Sequence, residues 1–128
     1  MKAEELMHKA RQAAASARAL YGMGDMDGAC NRAYYAMFDA AKAALRCSGA
    51  PVSADVARTH SGLIKAFGLH LVKSGRLPLE LGRAINRAED LRLLADYTGE
   101  PVDKEQADWA VESADRFVAT ITTEFFSS

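Results

Sequence analysis

Apolar residues recur along most of this chain at steps of three and four, the spacing typical of amphipathic helices. Runs of alternating β-branched and aromatic residues, which predict strands, are missing. Glycine and proline cluster in YGMGD, CSGAP, SGRLP and TGEPVD, and these four breaks divide the chain into five segments. The pattern predicts an all-α protein, an antiparallel bundle of about five helices with short connections, forming a single domain over residues 1–128.

The first two predicted helices span roughly residues 3–21 and 26–47. The first has a narrow stripe of mostly small apolar residues. The second is the most apolar segment, and its two faces are an apolar one with Cys30, Tyr34, Met37, Phe38, Ala41 and Leu45, and a polar one with Arg32, Tyr35, Asp39, Lys42 and Arg46. Further alanines lie between these faces, which predicts a central helix with close neighbours on several sides.

Start and stop residues mark the other three predicted helices. The third spans roughly residues 59–74 with Thr59 as N-cap, although two internal glycines weaken it by about 1 kcal/mol each relative to alanine. The fourth begins near Pro78, a favourable first-turn residue, and ends at a Gly99 C-cap. The fifth begins after Asp103, with Gln106 three residues further on as a variant capping box.

Composition and charge narrow the class of protein. Apolar residues make up 49% and charged residues 26% of the chain, which is typical of a globular protein. The net charge of -1 gives no support for a broad nucleic-acid footprint, although a local basic cleft is compatible with it. No apolar run approaches the roughly 20 residues that span a bilayer, and MKAEELMHKARQ lacks the apolar region of a signal peptide. We therefore expect a cytoplasmic protein without membrane contact.

The two cysteines predict neither a disulfide nor a metal site. If Cys30 and Cys47 share one helix, 17 residues at ~1.5 Å each hold them about 25 Å apart, too far for a disulfide. Neither lies in a CxxC spacing that would indicate zinc. We expect reduced thiols, no metal and no cofactor.

Standard catalytic motifs, such as a phosphate-binding glycine loop, HExxH or GxSxG, do not occur. The three histidines are dispersed: His8 is expected on an exposed helix face, and His70 in the core or at its boundary. His60 falls at a predicted helix N-terminus, where it either serves local capping and packing or carries a function.

Arg92 and Asp96 are a candidate pair at the end of the fourth predicted helix, in DLRLLADYTG. Four residues apart, they are able to form an ion pair, but an exposed pair is worth only about 0.2–0.5 kcal/mol, and arginine before aspartate is the weaker order. The stability of the fold thus gives little reason for an Arg92–Asp96 pair. Tyr97 lies about 140° around the helix from Arg92, so it joins them only through an unwound last turn or a second helix.

Three aromatic residues occupy informative positions. Tyr34 lies on the apolar face, which predicts a core ring with a hydrogen-bonded hydroxyl. Tyr35 lies on the polar stripe between Arg32 and Asp39, and Trp109 lies off the main apolar stripe of its helix. Both positions favour either a snorkelled surface residue or a buried contact beyond one chain's core, such as a dimer interface or pocket.

Taken together, NRAYYAMFDAAKAALRCSG, RTHSGLIKAF, LVKSGRLPLELGRAI and LRLLADYTG resemble the HEPN superfamily, and its small stand-alone prokaryotic branch in particular. The resemblance implies a helical bundle that commonly forms a homodimer. It also implies pairing with a minimal nucleotidyltransferase as a toxin–antitoxin system. Active ribonuclease members cleave RNA without a metal through an Arg-x(4–6)-His motif at a dimer cleft, and some carry a following tyrosine that the transferase modifies with AMP.

This chain departs from that motif at the histidine. Arg92 matches the arginine, but no histidine follows it, and Asp96 and Tyr97 occupy the region of the histidine and the modified tyrosine. His60 supplies the missing imidazole only if the third segment reaches the same cleft. The candidate catalytic residues are therefore Arg92, Asp96 and His60, and the candidate binding or interface residues are Arg32, Tyr35, Tyr97 and Trp109.

Three hypotheses follow. The first is a HEPN-type component of a toxin–antitoxin or nucleotidyltransferase-linked system that binds RNA, a nucleotide or a partner protein without strong catalysis. The second is a structural dimer module that recruits a partner. The third is a metal-independent ribonuclease toxin with altered acid–base residues.

Overall fold

Six α-helices and one π-helical turn form a bundle in the computed structural model, which describes residues 1–127. No strand occurs within this range, so the all-α prediction is confirmed. The helices, in chain order, are α1 (Ala3–Gly22), α2 (Met26–Ser48), α3 (Ala54–Arg58), α4 (His60–Phe67), α5 (Leu79–Thr98) and α6 (Lys104–Phe125), with the π-helical turn Gly68–Val72 directly after α4.

Helix α2 is the centre of the bundle, as its all-round apolar pattern predicts. It packs against α1, α4, α5 and α6. Its buried residues include seven alanines, which let neighbouring backbones approach closely: Ala29, Ala33, Ala36, Ala40, Ala41, Ala43 and Ala44. The small-residue stripe of α1 faces it with Ala10, Ala13, Ala14 and Ala17, all buried.

The predicted helix caps are present. The Thr59 side chain accepts a hydrogen bond from the Gly62 N–H, and Gly99 ends α5 in a left-handed conformation with φ 69°. Asp103 and Gln106 form the reciprocal capping box of α6. Pro78 directly precedes α5, whose first residue is Leu79. These caps fix where α4, α5 and α6 begin or end, and so which residues lie at each helix end.

The third predicted helix differs from the observed structure. Its interior is split into α4 and the π-helical turn, and the additional helix α3 precedes it. Five residues are too few to produce a periodic apolar pattern, and α3 buries none of its side chains, so the sequence carried no signal for it. Ser53 caps α3 through a hydrogen bond from the Val56 N–H.

Both cysteines are free thiols, as expected, with Cys30 buried and Cys47 exposed on the same helix. Burial, followed by the charge of Asp27, raises the pKa of the Cys30 thiol to about 11. Within residues 1–127, none of the helices combines the length and apolar character needed to cross a bilayer.

Gly62 is needed where α3 meets α4. A Cβ at this position would lie 2.2 Å from the Val56 carbonyl oxygen and 2.5 Å from Thr59 Oγ1, closer than packed atoms tolerate. We predict that Gly62→Ala lowers the free energy of unfolding by about 1–3 kcal/mol, because the backbone of α3 has to move. Urea denaturation followed by circular dichroism measures this change.

Gly68→Ala is the matched control. Gly68 has helical dihedral angles (φ -61°, ψ -45°), and nothing lies within 4 Å of an added Cβ. We expect this variant to be neutral or more stable by up to about 1 kcal/mol, because alanine restricts the unfolded chain. Equal losses in both variants would show that the close contact at Gly62 has no special importance.

Candidate functional site around Tyr34, His60 and Arg92

Tyr34 is the buried centre of a polar and aromatic cluster. It has no solvent exposure, and its hydroxyl oxygen lies 2.6 Å from Nδ1 of His60. His60 reaches this position because it is the first residue of α4, directly after the Thr59 cap. The prediction of a core tyrosine with a bonded hydroxyl is confirmed, and its partner is the imidazole at the helix N-terminus.

Aromatic rings hold the His60 imidazole from several sides. It stacks on Phe38 with ring centroids 4.6 Å apart and an interplanar angle of 25°. Tyr35 meets it edge to face, with centroids 5.8 Å apart. Nδ1 is occupied by Tyr34, whereas Nε2 makes no hydrogen bond to any part of the chain between residues 1 and 127. The hydrogen bond at Nδ1 thus orients the half-buried ring, and Nε2 is left for a ligand or solvent.

Arg92 contacts the same tyrosine from α5. Its Cζ lies 4.8 Å from the centroid of the Tyr34 ring, a cation–π distance. Since His60 bonds the hydroxyl and Arg92 lies over the ring, Tyr34 brings two of the three predicted catalytic residues into one cluster. Their convergence required α4 and α5 to dock on the same part of α2.

Glu89, rather than Asp96, is the main ionic partner of Arg92. Two guanidinium nitrogens of Arg92 donate to the Glu89 carboxylate at 2.9–3.2 Å, and each of these side chains is only 16% exposed. Asp96 stays 3.9 Å from Arg92 with a side chain that is 69% exposed. An exposed carboxylate at that distance adds little, so Asp96 lies at the edge of the cluster.

Sequence reasoning missed Glu89, although its spacing carried a signal. Glutamate three residues before arginine on a helix is a favourable pairing, and Glu89 precedes Arg92 by three. The burial of Arg92 favours Glu89 over Asp96 as its partner, because a partly buried guanidinium needs a carboxylate in close contact. Phe38, which stacks on His60, was assigned to the apolar face but not to the candidate site.

The electrostatics of the cluster keep Tyr34 neutral. Burial first, and the neighbouring Glu89 carboxylate second, raise the pKa of the Tyr34 hydroxyl well above its usual value. Tyr34 therefore keeps its proton and acts as a fixed hydrogen-bonding group rather than as a base.

Arg32 extends the cluster along α2. Its Cζ lies 5.6 Å from the Tyr35 ring centroid, and Tyr35 in turn packs edge to face on Tyr34 at 5.2 Å. No carboxylate of the described residues lies within 4 Å of the Arg32 guanidinium to form a salt bridge. Because Glu89 already neutralises Arg92, Arg32 is the cluster's available cation.

The remaining two predicted interface residues lie elsewhere. Tyr97 is 90% exposed and makes no contact with the cluster rings, in keeping with its angular distance from Arg92. Trp109 lines a groove between α5 and α6, where Arg87 Cζ lies 4.1 Å from its ring. Among residues 1–127 no group of three or more histidine, cysteine or acidic side chains is arranged to hold a metal ion.

Comparison with known proteins agrees with this architecture. The HEPN domain family matches residues 3–124. A UPF0332 protein of Gloeobacter violaceus is 41% identical over 96 residues, which are 75% of this chain and 72% of that protein. Two proteins of Methanocaldococcus jannaschii are also similar: "Putative toxin MJ0605" is 38% identical over 70% of this chain and 63% of its own length. "Putative toxin MJ0142" is 31% identical over 90% of this chain and 76% of its own length. The chain therefore belongs to the HEPN domain family.

Proposed function

We propose that this chain is a HEPN-type module of a prokaryotic toxin–antitoxin system that binds single-stranded RNA without strong catalysis. The observation that carries the proposal is the contact of Arg32, Tyr35, Tyr34, His60 and Arg92 in one cluster built by three helices. The toxin names of two relatives support the wider assignment.

The side chains of the cluster suit the two parts of a nucleotide. The Arg32 guanidinium, which has no salt bridge among residues 1–127, is able to bind a phosphate through two parallel hydrogen bonds. The half-buried ring of Tyr35 offers a surface on which a base stacks, the common mode of single-strand binding. A phosphate at Arg92 would have to compete with Glu89. We therefore assign Arg92 the role of orienting Tyr34 and not that of binding phosphate.

The same contacts argue against strong catalysis. Acid–base cleavage of RNA requires a proton acceptor and a proton donor near the reacting phosphate. The cluster offers one imidazole, one tyrosine whose pKa is raised, and an aspartate at its edge. Arg92, which lies over the Tyr34 ring, is already neutralised by Glu89.

Two protein partners belong to the proposal. The exposed end of α5 presents Leu93, Leu94 and Tyr97, an apolar patch of the kind that protein contacts cover. We assign this patch to a homodimer contact or to a minimal nucleotidyltransferase partner. The exposure of the Tyr97 hydroxyl would leave it accessible to such a transferase for transfer of AMP.

Replacement of Arg32 should weaken RNA binding. We predict that Arg32→Gln reduces the affinity for a fluorescein-labelled 20-nucleotide oligo(U) by about three- to tenfold, because it removes a phosphate contact. The slope of log affinity against log salt should fall by about 0.7 for this one contact to a single strand. Fluorescence anisotropy at several salt concentrations measures both quantities.

Arg46→Gln is the control, because it removes the same charge from the exposed far end of α2. It should leave affinity and salt slope unchanged. Equal loss of oligo(U) affinity in Arg32→Gln and Arg46→Gln would show that RNA binds through general charge attraction and not at the Tyr34 cluster. If the wild-type protein does not bind oligo(U), the RNA-binding proposal is contradicted, and the structural dimer module that recruits a partner is favoured.

A metal-independent ribonuclease is the second candidate function. It is favoured by the placement of the His60 imidazole, whose Nδ1 is held by Tyr34 while Nε2 is unbonded within the described chain. This is the arrangement in which a histidine is oriented for proton transfer. With Nδ1–H donating to the Tyr34 oxygen, His60 Nε2 would accept the proton of the 2′-hydroxyl. The 2′-oxygen would then attack phosphorus, and the 5′-oxygen would leave and take a proton from water, while Arg32 would steady the phosphate charge.

For that candidate, His60→Gln should reduce cleavage of labelled RNA in the presence of EDTA by about 10²-fold or more. Oligo(U) affinity should change less than threefold, which separates loss of chemistry from loss of binding. Retention of cleavage by His60→Gln would exclude His60 as the acid–base group, whereas absence of cleavage in the wild-type protein would exclude the ribonuclease itself.

A further inference from the structure

The groove between α5 and α6 is a second surface with chemistry of its own. Its volume is about 430 Å³, and none of the Tyr34 cluster residues lines it. Leu81, Ala84 and Phe117 form an apolar floor, in which Phe117 and Leu81 are buried and Ala84 is partly exposed, and the small side chain of Ala84 leaves room above the helix backbone. Two helices that form a trough with an apolar floor provide the shape into which a third helix packs.

Three arginines give this groove a positive charge, although the whole chain has a net charge of -1. Arg83 and Arg87 lie four residues apart on α5, and Arg116 lies opposite on α6. All three are exposed, and none forms a salt bridge with a carboxylate among residues 1–127. Glu80 is the single acidic residue of the lining. Such a surplus attracts an acidic ligand.

Specific contacts hold two of these arginines in place. Arg87 lies over the Trp109 ring, with Cζ 4.1 Å from the centroid. Arg116 donates to the Ser113 hydroxyl at 3.3 Å. Guanidinium groups that are positioned before a ligand arrives lose less side-chain entropy on binding.

The charge and geometry exclude some occupants more strongly than others. A second copy of the chain placed by two-fold symmetry on this groove would bring the same three arginines against each other, since such contacts use the same surface twice. Like charges in contact oppose that arrangement.

We propose that the α5–α6 groove docks an amphipathic helix of a partner protein, with apolar residues on its inner face and glutamates or aspartates along its flanks. The apolar face would pack over Ala84 between the two helices. The acidic flanks would pair with Arg83 on one wall and Arg116 on the other. This docking is independent of RNA binding at the Tyr34 cluster.

Trp109 provides a direct readout, because it is the chain's single tryptophan. The probe is an 18-residue helical peptide with leucines at i, i+3, i+4 and i+7 spacing, glutamates on the flanks and no aromatic residues. Titration into the full chain should give a saturable change in Trp109 fluorescence. An otherwise identical peptide with lysine in place of glutamate should bind at least about tenfold more weakly, because it meets like charge.

Arg83→Glu tests the wall of the groove, and Lys65→Glu is its control with the same change in net charge. Both residues are exposed, and Lys65 lies on α4 outside the groove. Arg83→Glu should weaken binding of the glutamate peptide by about tenfold or more, and Lys65→Glu by less than about twofold. Circular dichroism of both variants confirms that they are folded.

Four results would overturn the proposal. The first two are equal affinity for the lysine and glutamate peptides, and an equal loss of affinity in Arg83→Glu and Lys65→Glu. The other two are no saturable change in Trp109 fluorescence up to about 1 mM glutamate peptide, and a change in Trp109 fluorescence when oligo(U) replaces the peptide. The last result would assign the groove to nucleic acid. A fifth result, a Trp109 signal that follows protein concentration without peptide, would overturn the proposal too and would assign the groove to a second copy.

Discussion

The hydrogen bond between the Tyr34 hydroxyl and His60 Nδ1 is the constraint on which the rest of the site depends. A tyrosine hydroxyl without solvent exposure costs about 1–3 kcal/mol if it has no partner, so the core that encloses Tyr34 must also supply one. The start of α4 supplies it. The bond holds the start of α4 against α2, and Gly62, in the first turn of α4, has no room for a Cβ next to α3.

The second requirement comes from the charge that is partly buried against the same ring. Arg92 gains a cation–π contact with Tyr34, but its desolvated guanidinium also needs a carboxylate, and Glu89 provides it. That pairing removes most of the charge that a phosphate could use at Arg92. Arg32, which lies over Tyr35, forms no salt bridge among residues 1–127, so its charge is not neutralised by a carboxylate. Burial therefore separates the two arginines: Arg92 supports the core ring, and Arg32 is the one left for the proposed ligand.

The sequence predicted local features well. Helix periodicity, the Thr59 and Gly99 caps and the Asp103–Gln106 capping box all depend on residues close together in the chain. The central place of α2 followed from its apolar residues on all sides. The order of the residues along the helix favours Glu89 over Asp96 as the partner of Arg92, but the burial that makes the Glu89 pair the main one depends on tertiary packing, which local spacing does not show. The meeting of His60 with Tyr34, 26 residues apart in the chain, likewise depends on how α4 docks. The short helix α3 left no recognisable pattern, because it has five residues and none of them is fully buried.

A comparison of Tyr34→Phe with Tyr35→Phe tests the central role of the Tyr34 hydroxyl most directly. Each change removes one hydroxyl oxygen and keeps the ring, and the Tyr35 hydroxyl makes no hydrogen bond among residues 1–127. The free energy of unfolding, from urea denaturation, should fall by about 0.5–1.5 kcal/mol in Tyr34→Phe and change by less than about 0.5 kcal/mol in Tyr35→Phe. Equal stability of the two variants would contradict the account, since His60 would then be held without the Tyr34 hydroxyl.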